Sequence, residues 1–118
     1  MWHRRKVQHG EKMGQKLGFP TLNFRPGNFG DQYAPGVYAA QVRIADKNYS
    51  GALYFGPKFS QKGNVLELFV LNFSRTIYGR FVSFKVGKQV RAPMKFDSVE
   101  TLKKQIEKDI EAILRTQD

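Results

Sequence analysis

The chain alternates apolar and polar positions over most of its length and changes period near its end. From Val37 to Ala45, Tyr38, Ala40, Val42 and Ile44 fall on one side and Gln41 and Arg43 on the other. That pattern predicts a half-buried strand. Asp46-Lys47-Asn48 predicts a turn, and Tyr49 to Phe55 the returning strand of a hairpin. Val65 to Leu71 and Arg80 to Val86 predict two further strands, with Gly87-Lys88 turning the chain into Gln89 to Arg91. The segments Arg25 to Pro35 and Gly56 to Asn64 predict loops, from their Pro, Gly, Asn and Asp content. In the last segment Val99, Leu102, Ile106, Ile110, Ile113 and Leu114 recur at helical spacing. Asp97 or Ser98 can cap that helix, Glu100 lies at capping-box distance from Asp97, and Glu100–Lys104 and Glu111–Arg115 are spaced as ion pairs. Short antiparallel strands followed by one helix predict a small β-barrel with the helix lying across it. Closure also removes the exposed sheet edges such a chain would otherwise carry.

At 118 residues the chain suits one domain, residues 1–118, and 41% hydrophobic residues are enough for one compact core. No apolar stretch is long enough to cross a membrane, and the polar, basic stretch from Met1 to Glu11 lacks the apolar centre of a signal peptide. The absence of cysteine excludes disulfides and thiolate metal sites and fits a reducing, cytoplasmic setting. His3 and His9 alone do not make a zinc site. The net charge of +10 favours anionic partners, either nucleic acid or a nucleotide bearing several phosphates. The one compact basic cluster, Arg4-Arg5-Lys6, is expected to be a solvated, flexible terminus. A monomer is expected, since no separate apolar face or heptad suggests assembly.

The run Leu17-Gly18-Phe19-Pro20-Thr21-Leu22-Asn23, with Gly10 and Gly14 before it, carries the first candidate chemistry. Glycines let a backbone approach a phosphate closely, and a proline fixes the entry to an extended segment. Thr21 and Asn23, two residues apart, then share one face and offer two neutral oxygen ligands. That donor set suits a magnesium ion coordinated mostly by phosphates and water. The run matches neither the phosphate-loop pattern nor the dinucleotide fingerprint. A plain glycine-rich turn before a strand is the alternative reading.

Glu67 is the second candidate. It interrupts Val65-Leu66-Glu67-Leu68-Phe69-Val70-Leu71, where an unpaired charge is costly to bury. Such a carboxylate can serve as a general base. It can equally be paired with one of the many cations, or face solvent from an edge strand.

Together these pieces resemble riboflavin kinase of the bacterial and eukaryotic type. The stretch from His9 to Asn23 is similar to the family's glycine-rich segment and Pro-Thr-x-Asn motif. Pro35-Gly36-Val37-Tyr38 resembles its Gly-Val-Tyr strand start, Leu66-Glu67 the segment bearing its glutamate, and Tyr78-Gly79 its Tyr-Gly turn. Arg91 with Lys95-Phe96-Asp97-Ser98 and the helix resembles its flavin-side segment. The resemblance covers nearly the whole chain in one order. It implies an all-β fold with one C-terminal helix, a six-stranded antiparallel Greek-key β-barrel. It also implies ATP-dependent phosphorylation of the riboflavin 5′-hydroxyl to give FMN and ADP, with ATP and riboflavin as the partners. By the same resemblance Thr21 and Asn23 hold Mg2+ with ATP, and Gly10, Gly14, Lys16, Gly18 and Pro20 border the nucleotide. Glu67 is the implied base, and Arg91 and Phe96 lie near the flavin.

The chain departs from the family pattern at Gln15, Tyr54, Lys58, Phe69, Thr76 and Pro93, and the loop holding Pro57-Lys58-Phe59 is short. Nothing in it resembles the adenylyltransferase domain of the bifunctional enzymes, so it is not expected to make FAD. A degenerate relative that binds flavin or nucleotide without turnover is the second reading. A basic nucleic-acid-binding barrel, suggested by charge and aromatics, ranks last.

Overall fold

The computed structural model describes residues 1–9, 18–58 and 63–116. Six strands form one antiparallel sheet: β1 (Trp2–Lys6), β2 (Leu22–Phe24), β3 (Gly36–Ile44), β4 (Lys47–Pro57), β5 (Asn64–Val70) and β6 (Phe81–Arg91), in the spatial order β1-β6-β3-β4-β5-β2. Within it β3, β4 and β5 follow one another as hairpins, and β6 returns to lie beside β3, which is a Greek key. The sheet curls until its edges meet: the Gln8 amide donates to the Asn23 carbonyl at 2.7 Å, an antiparallel bridge between the continuation of β1 and strand β2. The expected six-stranded Greek-key architecture with one C-terminal helix is present.

The inner face is the core. Tyr38, Ala40, Val42 and Ile44 of β3 meet Leu53 and Phe55 of β4, Leu66, Leu68 and Val70 of β5, and Val82 and Phe84 of β6. These are the apolar positions of the period-2 pattern, so removing them from water selects the curl. A short 3-10 turn at Phe29–Asp31 plugs one end: Phe29 is buried, stacked on Tyr33 with ring centroids 4.4 Å apart, and tilted against Phe55.

Three local expectations of the sheet are corrected. The β3–β4 turn sits at Ala45-Asp46, both at positive φ (49° and 67°), so Lys47 and Asn48 already belong to β4. Two residues of positive φ match the right-handed twist of a two-residue hairpin. Gly87-Lys88 does not turn the chain. Strand β6 runs through them, and its register against β3 slips between Val37 and Tyr38 and again between Tyr38 and Ala40. Each slip is an extra residue on β6, a bulge. The Arg4-Arg5-Lys6 cluster is not a loose tail but part of β1, paired along its length with β6. The Arg4 guanidinium lies 3.9 Å over the Phe81 ring, and Arg5 donates to the Arg25 carbonyl at 3.0 Å. Long cationic side chains satisfy an edge strand while their stems cover apolar surface.

The helix, α1, spans Val99–Arg115. Its capping box is Ser98 with Thr101, not Asp97 with Glu100: Thr101 N–H donates to Ser98 Oγ at 3.2 Å and Ser98 N–H to Thr101 Oγ1 at 3.3 Å. Of the two spaced ion pairs, Glu111–Arg115 forms, at 3.7 Å, and Glu100–Lys104 is not among the ion pairs of the described residues. Both lie on the solvated side, where such pairs are weak. Helix α1 packs on the outer face of the sheet against β3, β4 and β6, with Ile113 fully buried. No helix among the described residues is long and apolar enough to cross a membrane.

Candidate functional site

Antiparallel register builds the site as a row of side chains across the sheet. Asn23 of β2 is opposite Glu67 of β5, and Glu67 is opposite Tyr54 of β4. Tyr54 in turn is opposite Val37 of β3, and Val37 is opposite Arg91 of β6. Residues directly opposite one another share a face and lie within side-chain reach. Leu66 and Leu68 point into the core, so Glu67 and its row face outward. The two bulges in β6 together restore its alternation, and Arg91 emerges on that same outer face.

Glu67 is nonetheless 9% exposed. Its charge is met by Lys58, whose Nζ donates to Oε2 at 2.8 Å and to Oε1 at 3.3 Å. Of the alternatives open for Glu67, pairing with a cation is therefore realised, and β5 is not an edge strand. Asn23 turns its amide nitrogen to the Thr21 carbonyl at 3.3 Å. Its side-chain oxygen takes no part in that bond. Phe19 packs edge-on against Phe69 of β5, with centroids 5.5 Å apart, and so ties the Gly18–Asn23 segment to the strand that carries Glu67.

Among the described residues no cluster of three His, Cys, Asp or Glu could hold a metal ion. The donors present are the neutral oxygens of Thr21 and Asn23 beside one carboxylate. This set fits magnesium held mainly through phosphates and water, and does not fit an all-protein cage.

Tyr54 links the two halves of the row. Its phenol is pushed above the ordinary tyrosine range, chiefly by burial; the Arg91 cation opposes the rise and the Glu67 carboxylate adds to it. The Tyr54 hydroxyl donates to the Pro57 carbonyl at 2.5 Å, which fixes the backbone one residue before Lys58. At Gly56 (φ 152°) a Cβ would crowd that hydroxyl at 3.0 Å and Pro35 Cβ at 3.3 Å.

Arg91 is held by the helix. Its Nε donates to Asp109 Oδ1 at 2.9 Å and its Nη2 to Oδ2 at 2.9 Å, while Gln105 donates to Oδ1 at 3.0 Å. The paired side chains are 15% and 5% exposed. The guanidinium carbon is 5.8 Å from the centre of the Phe96 ring, so Arg91 and Phe96, predicted together, are neighbours.

The structure thus brings Asn23 and Glu67 together at one end of the row, with Gly18, Pro20 and Thr21 on the segment leading into β2, and sets Arg91 and Phe96 at the other end. Gly10, Gly14 and Lys16 lie outside the described residues. Sequence reasoning did not place Tyr54, Lys58 or Asp109 in the site. Asp109 had a signal: it is an acid between Ile106 and Ile113 on the apolar stripe of α1, where a buried carboxylate needs a partner.

The sequence matches the riboflavin kinase (flavokinase) family over residues 2–116. The bifunctional riboflavin kinase/FMN adenylyltransferase of Haemophilus influenzae is 38% identical over 111 residues, covering 90% of this chain and 35% of that protein. The chain thus spans about a third of the length of that relative. The crystal structure of a macrolide-efflux protein from Streptococcus pneumoniae is similar with a TM-score of 0.81 at 28% identity, over 95% of this chain and 38% of that one. The riboflavin kinase from Trypanosoma brucei is similar with a TM-score of 0.71 at 25% identity, over 98% of this chain and 78% of that one.

Proposed function

The chain belongs to the riboflavin kinase family, and from that premise we propose that it transfers the γ-phosphoryl group of ATP to the 5′-hydroxyl of riboflavin, giving FMN and ADP. The single observation that carries the reading is the register pairing of Asn23 with Glu67. It sets a neutral oxygen ligand beside a nearly buried carboxylate, and a phosphoryl-transfer site needs both.

In this reading residues 1–118 work as one kinase unit, acting in the cytoplasm on ATP. Glu67 accepts the proton of the attacking hydroxyl. Positioned proton transfer of this kind contributes roughly 10²–10⁴-fold. Thr21 and Asn23 hold magnesium on the nucleotide; when bound, the ion supplies charge neutralisation on the phosphates. Gly18 and Pro20 lie on the nucleotide side, as do Gly10, Gly14 and Lys16 by resemblance. Arg91 and Phe96 border the flavin at the far end of the row, where a guanidinium and an aromatic ring suit a planar, partly polar ring system. The rest of the rate comes from holding the hydroxyl and the phosphorus in line.

The test is incubation of the protein with riboflavin, ATP and magnesium, with FMN followed by chromatography against a metal-free control. Magnesium-dependent FMN is the expected result. A folded protein that binds riboflavin and makes no FMN would overturn the catalytic reading in favour of a binding relative.

A further inference from the structure

Lys58 is one of the positions at which this chain departs from the family pattern, yet it makes the closest contact to the candidate base. Its Nζ is 2.8 Å from Glu67 Oε2 and 3.3 Å from Oε1. The side chains are 23% and 11% exposed, so the pair is shielded without being sealed. The contact is built. Lys58 follows directly on β4, and the Tyr54 hydroxyl anchors the preceding residue through the Pro57 carbonyl. Tyr54 is itself the register partner of Glu67. Two departures from the family pattern, Tyr54 and Lys58, therefore converge on one carboxylate.

We infer that Lys58 is a further catalytic residue of the phosphoryl-transfer site, fixing the Glu67 carboxylate and bridging it to the transferring phosphoryl group. The inference rests on the kinase reading above. An ammonium has three N–H donors, and this carboxylate engages two at most. Oε2 takes the short contact, which leaves Oε1 with lone pairs to receive a proton. The remaining N–H is available to a phosphoryl oxygen of a nucleotide bound beside Asn23. A fixed cation between base and phosphoryl group stabilises charge as it develops, and does so without reorganisation.

In the step itself the riboflavin O–H bond breaks and its proton passes to Glu67 Oε1. The oxygen forms the new bond to the γ-phosphorus. The bond from that phosphorus to the β,γ-bridging oxygen breaks, and its electron pair leaves on ADP. Lys58 gives up no proton and changes no bond; it holds the base and offsets charge. The shortened loop places a point charge where planar recognition is not required, which suits lysine.

The experiment compares wild type with Lys58→Ala and Lys58→Arg, reading kcat, both KM values, riboflavin binding by flavin fluorescence, and the thermal midpoint. Lys58→Ala is expected to lower kcat about 10–100-fold, with riboflavin affinity and the riboflavin KM within about twofold of wild type. Added ethylammonium should restore part of the lost kcat, and an equal concentration of sodium should not. Lys58→Arg should recover part of the loss. Wild type that makes FMN alongside Lys58→Ala at wild-type kcat overturns the inference and leaves the kinase reading standing. Loss of kcat together with flavin binding, with no recovery by ethylammonium or arginine, also overturns it in favour of a purely structural ion pair. Wild type that makes no FMN overturns both.

Discussion

Arg91 closes β6 and is held by Asp109 of α1 through two short hydrogen bonds, Nε to Oδ1 and Nη2 to Oδ2, each 2.9 Å. This planar, two-point contact joins the helix to the strand that ends the Glu67 row. The helix otherwise covers the sheet with few buried side chains, Asp109 and Ile113. The clamp is thus a large share of what seats it.

Asp109→Ala should therefore lower stability by about 2–4 kcal/mol, because it strands a guanidinium that is mostly out of water. Urea denaturation followed by circular dichroism measures this. Loss below 1 kcal/mol would mean that Arg91 finds solvent readily and that the helix is held by its apolar face alone.

Glu67→Gln should reduce FMN formation at least 100-fold while riboflavin binding persists. Steady-state kinetics and flavin fluorescence separate the two effects. Substantial remaining turnover would remove Glu67 from the role of base. The substitution also leaves Lys58 without its carboxylate, so a modest fall in thermal midpoint is expected with it.

Asn23→Leu keeps the bulk of the side chain and deletes its oxygen. The magnesium concentration giving half-maximal activity should rise by about tenfold, ~1.4 kcal/mol. A magnesium titration with unchanged midpoint would exclude Asn23 as a ligand.

Gly36 begins β3 at φ 156°, and a Cβ there would lie 2.3 Å from Gln89 Nε2 and 2.5 Å from the Arg91 carbonyl oxygen. Gly36→Ala must push β6 away at the residue that carries the helix clamp. The expected outcome is a loss of about 1–3 kcal/mol, with weakened riboflavin binding. Wild-type stability in the alanine variant would show that the end of β6 yields freely.

His3 gives a pH dependence. It packs between Phe29, Tyr33 and Phe84, and its imidazole is held below its ordinary range, first by burial, then by the Arg5 charge and the amino terminus. As pH falls below about 6.5, the unfolded chain takes up the proton before the folded one. The unfolded state then binds more protons, so stability falls with falling pH in that window and the loss levels off below the folded value. Urea midpoints at pH 7.5 and 5.0, in wild type and in His3→Gln, should show a steeper fall in wild type. Parallel falls would exclude His3 as the source.

Several elements were legible from the placing of their apolar residues. Strand β3 and the helix announce themselves by period, β5 by a short apolar run that is buried on both faces, and Glu67 stands out as a charge within that run. The extended segment that carries Asn23 was legible from Pro20 and the spacing after it. The row Asn23–Glu67–Tyr54–Val37–Arg91 was not, since it depends on register between strands distant in sequence. Lys58 was visible as a departure and not as a partner, because a contact across a loop leaves no periodic trace. The basic start of the chain misled for a related reason: charge density suggests a solvated tail, while pairing with β6 is a tertiary fact. Gly87-Lys88 reads locally as a turn, yet the ladder with β3 on either side carries β6 through it as a bulged strand.

Asn23 belongs to the fold twice. Its backbone carbonyl fastens Gln8, and its side chain lies on the face of Glu67. The sheet is in effect a strip bent until its ends touch, and this contact is the clasp. A ligand that grips Asn23 from outside also restrains the clasp from behind. Nucleotide binding should then slow hydrogen exchange at the Gln8 amide, fifteen residues away along the chain, and that one amide becomes a gauge of occupancy read without any chemistry taking place.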